Sequence, residues 1–287
     1  MRIEPHMFAN VGYIAEDNGE GSYEPCATCF FVSYLSPGKD YKHGYMVTNR
    51  HVIEDLKNAN QAFTCVINQR NGGIVTIPEA SEKWYFHPTD SAADVAVRPF
   101  EVKSEYEVGD LSTDRFLSND IFASTTDCVV GVGDEVSIMG LFTVAPGQSR
   151  QVPLVRHGNI AMIPNEKLWT GRGEAEVYLI EARSIGGLSG SPVLVQETFH
   201  AEGSDPDIFV SGGKIYLLGM IQAHWDINER DINKTQTISD YKRGVNMGIA
   251  TVVPARKIHE TLEDDVLAMM RKQVEDGHCN KFKPTGD

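Results

Sequence analysis

The chain has 287 residues with 26 Lys+Arg against 40 Asp+Glu, a formal net charge of −14, and 41% hydrophobic residues. This is the composition of an ordinary folded chain rather than a disordered one, and at roughly 150 residues per domain its length suits two structural units that need no disulfide staple. The acid excess repels phosphate backbones and anionic lipid, so neither nucleic acid nor a membrane surface is expected as a partner.

Met1–Asn10 has no basic patch followed by an apolar run, so no secretory signal is expected. No run of about 18 apolar residues follows, so no transmembrane helix is expected. The five cysteines, Cys26, Cys29, Cys65, Cys128 and Cys279, are an odd number and fit a reducing cytoplasm better than a disulfide framework.

The next segments are short apolar runs broken by Gly, Pro, Asn and Asp, the texture of an all-β chain. Cys29–Leu35 and Gly44–Thr48 read as strands around a Pro37-Gly38 turn. Phe63–Gln69 and Gly73–Pro78 flank Asn71-Gly72, a hairpin signal because both residues tolerate positive φ. Asp94–Pro99 is a further short strand. A polar stretch from Lys103 to about Asn119 separates the halves, giving an N-terminal β-barrel over 1–115 and a C-terminal β-barrel over 116–287.

Asp127–Val132, Glu135–Phe142, Val152–Arg156, Ile160–Ile163, Glu176–Ala182, Pro192–Gln196, Lys214–Ala223 and Met247–Val253 are the strands expected of the second half. Polar loops at His200–Asp207 and Asp226–Arg243 interrupt them. Pro254 opens a helix in which Ile258, Leu262, Val266, Met270 and Val274 recur every four residues, a stripe expected to pack on the body.

Three segments carry chemistry: Thr48-Asn49-Arg50-His51-Val52, Ala93-Asp94-Val95-Ala96-Val97 and Gly186-Gly187-Leu188-Ser189-Gly190-Ser191-Pro192. Each alone has a bland reading, as a strand end, a turn and a tight loop. In the order His, Asp, Ser they match one of the three chain orders of the nucleophilic triad. A serine hydroxyl is a weak nucleophile that needs a base within hydrogen-bond reach. An imidazole, titrating near ~6.5, can take that proton and return it. An aspartate would fix the imidazole tautomer.

On these segments the chain resembles the trypsin/chymotrypsin-like serine peptidases, in particular the bacterial HtrA-like type. Ala27-Thr28-Cys29-Phe30-Phe31-Val32 is similar to that family's first strand. Gly44–Val52 is similar to its histidine-presenting segment, Asp94–Val97 to its aspartate segment, and Gly187–Pro192 to its nucleophile loop. Gly133–Val136 with Gly140, Leu217–Ile221 and Gly248–Ala250 resemble strands of its second barrel. The resemblance covers about residues 24 to 260. It implies two six-stranded antiparallel barrels with a C-terminal helix, a catalytic set of His51, Asp94 and Ser189, and an oxyanion hole from the N–H groups of Gly187 and Ser189. It further implies a substrate pocket near Arg183, Gln222, Ala223 and His224. There Arg183 either favours an acidic substrate residue or turns to solvent.

Ser191, Leu188 and Cys29 depart from the family pattern without removing a backbone donor. No Ile-Val-Gly-Gly activation sequence is present, and no PDZ module is expected after Pro254. Cys26-x-x-Cys29 lacks a second ligand pair and reads as packed thiols rather than zinc ligands. The Asp226–Asp240 loop does not fit calcium-loop spacing and reads as a solvated surface. No metal or cofactor is expected.

Two functions follow. The first is a serine endopeptidase acting on protein or peptide substrates. The second is a non-catalytic or partner-activated binding module on the same fold, with a regulatory protein as its partner.

Overall fold

The computed structural model describes residues 2–19, 21–37, 41–117, 130–147, 149–170, 173–182, 187–200, 209–227 and 245–281. The expected strand Asp127–Val132, the loop His200–Asp207, most of the Asp226–Arg243 loop and the end of the Lys103–Asn119 stretch lie wholly or partly outside them.

The chain is mostly β, in two halves. The first is an eight-stranded sheet built on β1 (Val11–Gly19), β2 (Ser22–Leu35), β3 (Lys42–Thr48), β4 (Phe63–Asn68), β5 (Ile74–Glu79), β6 (Tyr85–Phe86), β7 (Ala96–Pro99) and β8 (Leu111–Ser112). Its order is β5-β4-β1-β2-β3-β7-β6, with β8 parallel to β2. The second half is a closed six-strand barrel of β9 (Glu135–Gly140), β10 (Leu154–Met162), β13 (Tyr178–Glu181), β14 (Pro192–His200), β15 (Phe209–Ile227) and β16 (Val245–Pro254). A small ribbon, β11 (Leu168–Trp169) with β12 (Glu174–Ala175), stands beside it.

The six-stranded count therefore describes the second half. The first half has seven strands along an open path, with β8 off it, paired to β2. Its end strands are a two-residue β6 and a β5 carrying Pro78, which has no N–H to extend a ladder. Its interior is completed by Trp84 and by Val52, Ile53 and Leu56 of α1 (Arg50–Asn58), packed with Ile14, Phe31, Met46 and Ile67.

The two faces of β2 explain why its sequence reads as one apolar run. Phe30, Val32 and Tyr34 enter a cluster shared with Met139, Leu217, Met220 and Val253 of the second half, whereas Cys29 and Phe31 enter the first half's own interior. A strand buried on both faces loses the alternation that normally marks it. The hairpin at Asn71-Gly72 forms as expected, with Gly72 at φ 96° and the Asn71 side chain accepting from the Gly73 N–H at 3.2 Å.

The C-terminal stripe is corrected. The helix breaks into α2 (Ala255–Leu262) and α3 (Asp265–Lys281). Ile258 and Leu262 are fully buried, but Val266, Met270 and Val274 are exposed, and Leu267, Arg271 and Glu275 face inward instead. Asp264 resets the register by accepting the Val266 N–H at 2.9 Å, which starts a new helix. The inward charges have partners. Arg271 donates to Tyr45 Oη (2.9 Å) and Leu262 O (2.7 Å) and lies 4.0 Å over the Tyr34 ring. Glu275 accepts from Ser36 Oγ at 2.6 Å and pairs with His43 at 2.9 Å. Both helices thus clamp the first half's sheet. No helix among the described residues is long and apolar enough to cross a membrane.

Candidate active site

His51 lies in the first turn of α1, directly after β3. Asn49 precedes the helix with extended backbone and is fully buried. Its Nδ2 donates to the Asp94 carbonyl at 3.1 Å, tying the helix start to the segment before β7. Asp94 is itself buried, and its two carboxylate oxygens serve one residue. Oδ1 accepts the His51 backbone N–H at 2.9 Å, and Oδ2 lies 2.7 Å from His51 Nδ1. An ionised carboxylate only accepts, so this contact favours the imidazole tautomer that carries its proton on Nδ1, in which Nε2 is the acceptor.

The turn that presents Asp94 is held by charge. Asp90 Oδ1 accepts the Ala92 N–H at 3.1 Å, and Asp90 Oδ2 pairs with Lys257 of α2 at 3.0 Å. Burial alone would raise the Asp90 carboxyl, but the hydrogen bond and charge of Lys257 outweigh it and hold the carboxyl below the ordinary aspartate value. Lys257 also meets Glu260 at 3.1 Å, and Glu260 meets His87 at 2.8 Å. Asp90 is therefore committed to α2, and Asp94 alone of the two is bonded to His51.

Ser189 sits on a loop sewn into both halves. Its carbonyl accepts the Thr28 N–H at 2.9 Å, the Gly190 N–H donates to Ile221 O at 3.0 Å, and the Ser191 N–H donates to Leu188 O at 2.9 Å. Gly187 and Gly190 have φ of 91° and 83°, backbone that favours glycine. A Cβ on Gly190 would also run into the carbonyl of Thr28.

Thr28, fully buried on β2, is the hub of this arrangement. Its Oγ1 donates to Gly187 O (2.8 Å) and accepts from Leu141 N–H (2.9 Å) and Ser191 Oγ (3.1 Å), while its carbonyl accepts from Thr48 Oγ1 (2.8 Å). Sequence reasoning passed over Thr28 and Asn49 as a strand residue and a motif neighbour. Nothing in their local pattern distinguishes them.

His51 and Ser189 open on one cavity of about 390 Å3. The Ser189 hydroxyl donates to the Gln222 carbonyl at 3.4 Å, a long bond by hydroxyl standards. Of the expected pocket residues, Gln222 turns its side chain into the interior, Ala223 is half-buried with its carbonyl accepting from Thr251 Oγ1 at 3.2 Å, and His224 is exposed. Arg183 and Gly186 lie outside the described residues.

Cys26, Cys29 and Cys65 are free thiols, with Cys29 and Cys65 in contact at 3.5 Å inside the first half. Among the described residues no group of three or more His, Cys, Asp or Glu side chains is placed to hold a metal ion.

No protein-family model matches this chain. No curated protein matches it either. Among solved structures, the apo MamO protease domain from Magnetospirillum magneticum is similar over 91% of this chain and 100% of its own, at 16% identity and a TM-score of 0.53. An inactive mutant of Rv3671c from M. tuberculosis covers 90% of this chain and 89% of its own, at 15% identity and a TM-score of 0.40. Human heparin binding protein covers 100% and 98%, at 11% identity and a TM-score of 0.46. At such identities the likeness is one of fold.

Proposed function

From the trypsin-like serine protease fold as scaffold, we propose that this chain is a serine endopeptidase that cleaves protein or peptide substrates through an acyl-enzyme. The observation that carries the reading is the bidentate hold of Asp94 on His51, with His51 and Ser189 opening on one cavity. Asp94 keeps the Nδ1 proton, so His51 Nε2 takes the proton of Ser189 as its oxygen attacks the scissile carbonyl. The N–H groups of Gly187 and Ser189 stabilise the oxyanion. His51 then gives its proton to the leaving amine, and water, activated the same way, releases the acid. The steps use these side chains, the backbone and one water per turnover.

A second reading has its own observation. The Ser189 hydroxyl rests on Gln222 O at 3.4 Å and must rotate toward His51 before it reacts. A partner or substrate that drives this rotation would make the chain a conditionally active module, consistent with the absence of an Ile-Val-Gly-Gly activation sequence.

The test is turnover of a peptide library by wild type, Ser189→Ala and His51→Ala. Each substitution should lower kcat by at least ~10³-fold with the fold intact. Wild-type turnover in Ser189→Ala would overturn the assignment. Turnover by wild type only after addition of a protein partner would select the second reading.

A further inference from the structure

We propose, resting on the peptidase reading above, that the cavity beside His51 receives the substrate on the leaving-group side of the scissile bond and selects a cationic side chain there, lysine or arginine. Direction comes first. His51 must hand its proton to the departing amine, so the leaving group lies on the His51 side of Ser189. The Gln222 carbonyl, 3.4 Å from Ser189 Oγ, belongs to β15 of the second half and does not line this cavity. The cavity is on the histidine side. Apart from Ser189, every described residue lining it belongs to the first half, from β1, β2, α1 and the segment just after it. At about 390 Å3 it falls at the lower end of ligand-cavity sizes, about 300–1,000 Å3.

Its chemistry is two-layered. Ala27, Val52 and Leu56 are buried and apolar, and they form part of its wall. Glu16, half-buried, and Asp55, exposed, supply carboxylates to the same cavity, and among the described residues no lysine or arginine lines it. An apolar surface beside carboxylates matches a long aliphatic stem that ends in a cation. An acidic side chain would meet like charge. The Cys26 thiol, also in the wall, registers the same field: burial first, and then the negative charge of Glu16, push it up to about 12. The overall charge of −14 adds long-range attraction for a basic segment.

The experiment uses leaving-group mimics, so that it does not depend on turnover. Lysyl-, norleucyl- and glutamyl-alaninamide are titrated into the wild-type protein, with the ring resonances of His51 as the NMR readout. The lysyl peptide should bind about fivefold or more tightly than its neutral isostere, with the glutamyl peptide weakest. Glu16→Gln/Asp55→Asn should erase the lysyl advantage while norleucyl binding persists, and Glu16→Lys should move the preference toward the glutamyl peptide. Equal binding or no binding of the lysyl and norleucyl peptides in wild type would overturn the proposal. So would a lysyl advantage that survives in the double variant. Fluorophosphonate labelling of the same sample separates this from the parent reading. Labelling without a lysyl preference removes the subsite and keeps the peptidase, whereas a lysyl preference without labelling keeps the subsite and removes the peptidase.

Discussion

Replacing Thr28 by valine tests whether one buried hydroxyl holds the Ser189 loop to the first half. Valine keeps the branched shape and removes all three hydrogen bonds of Oγ1. The Gly187 carbonyl, the Leu141 N–H and the Ser191 hydroxyl, now bonded at 2.8, 2.9 and 3.1 Å, would lose that partner where Thr28 and Ser191 have no solvent exposure. At about 1–2 kcal/mol for each buried group left unsatisfied, the loss should be about 3–6 kcal/mol. That is a large part of the roughly 5–15 kcal/mol that stabilises a typical domain. The Gly187–Leu188 peptide would also lose its anchor, between the Gly187 and Ser189 N–H groups proposed as oxyanion donors. Deleting an oxyanion donor outright costs about 10²–10³ in rate, so misplacing one should slow fluorophosphonate labelling by about tenfold or more. Urea unfolding gives the stability, and labelling is read at a temperature where the variant is folded. Thr28→Ser keeps the hydroxyl and should recover most of both losses. A Thr28→Val protein within about 0.5 kcal/mol of wild type, labelled at the wild-type rate, would refute the reasoning.

Lys257→Met should strip the charge that binds Asp90, Glu260 and, at 3.7 Å, Glu176, costing about 1–3 kcal/mol at neutral pH, between the values for exposed and buried pairs because the carboxylates keep contact with solvent. Asp90 and Glu260 are held low in the fold against the effect of burial, so the stability they contribute is present above their unfolded pKa values and lost as pH falls through the folded ones. The penalty seen by urea unfolding should therefore shrink in acid, and an undiminished penalty at pH 3 would count against the network. Glu79 differs in sign. Burial lifts its carboxyl to about 7 against the pull of Arg98, so its contribution is full below the ordinary glutamate value and lost as pH rises through about 7. The stability difference between wild type and Glu79→Gln should be largest near pH 4.5 and smaller at pH 8, and a difference independent of pH would contradict the assignment.

The parts of the fold legible in the sequence were those with local chemistry. Asn71-Gly72 announced its hairpin, and the second-half strands from Glu135 onward fell near their runs. Val152–Arg156 and Ile160–Ile163, read as two strands, are one continuous β10 because Gly158 sits mid-strand with Glu181 O close above it. β1 escaped notice although Val11–Ala15 is apolar. It follows a short 3-10 helix, Pro5–Asn10, and is buried along that whole run, so no alternation marks it. α1 escaped too. The residues after Thr48 were read as a strand end, yet Val52, Ile53 and Leu56 supply one apolar face of a nine-residue helix. The stripe from Ile258 to Val274 failed for a different reason. Periodicity cannot see that Asp264 restarts the helix, nor that Arg271 and Glu275 find buried partners on β2, β3 and the turn between them.

At the site, His51, Asp94 and Ser189 were singled out by the residue types and chain order that triad chemistry requires, and the structure bonds His51 to Asp94 and sets His51 and Ser189 on one cavity. Thr28 and Lys257 were not. Their work lies in contacts with residues far along the chain, such as the bond from Thr28 to Gly187 across 159 positions. A threonine in a strand and a lysine in a helix look the same with or without such partners.

The central claim is that His51 and Asp94 activate Ser189 as a nucleophile. The most direct measurement is to react the intact protein with a fluorophosphonate and map the adduct by peptide mass spectrometry. The account predicts a single stoichiometric adduct on Ser189, abolished in Ser189→Ala and slowed by about 10³-fold or more in His51→Ala. An adduct on another residue, or labelling of Ser189 that proceeds at the wild-type rate without His51, would contradict it.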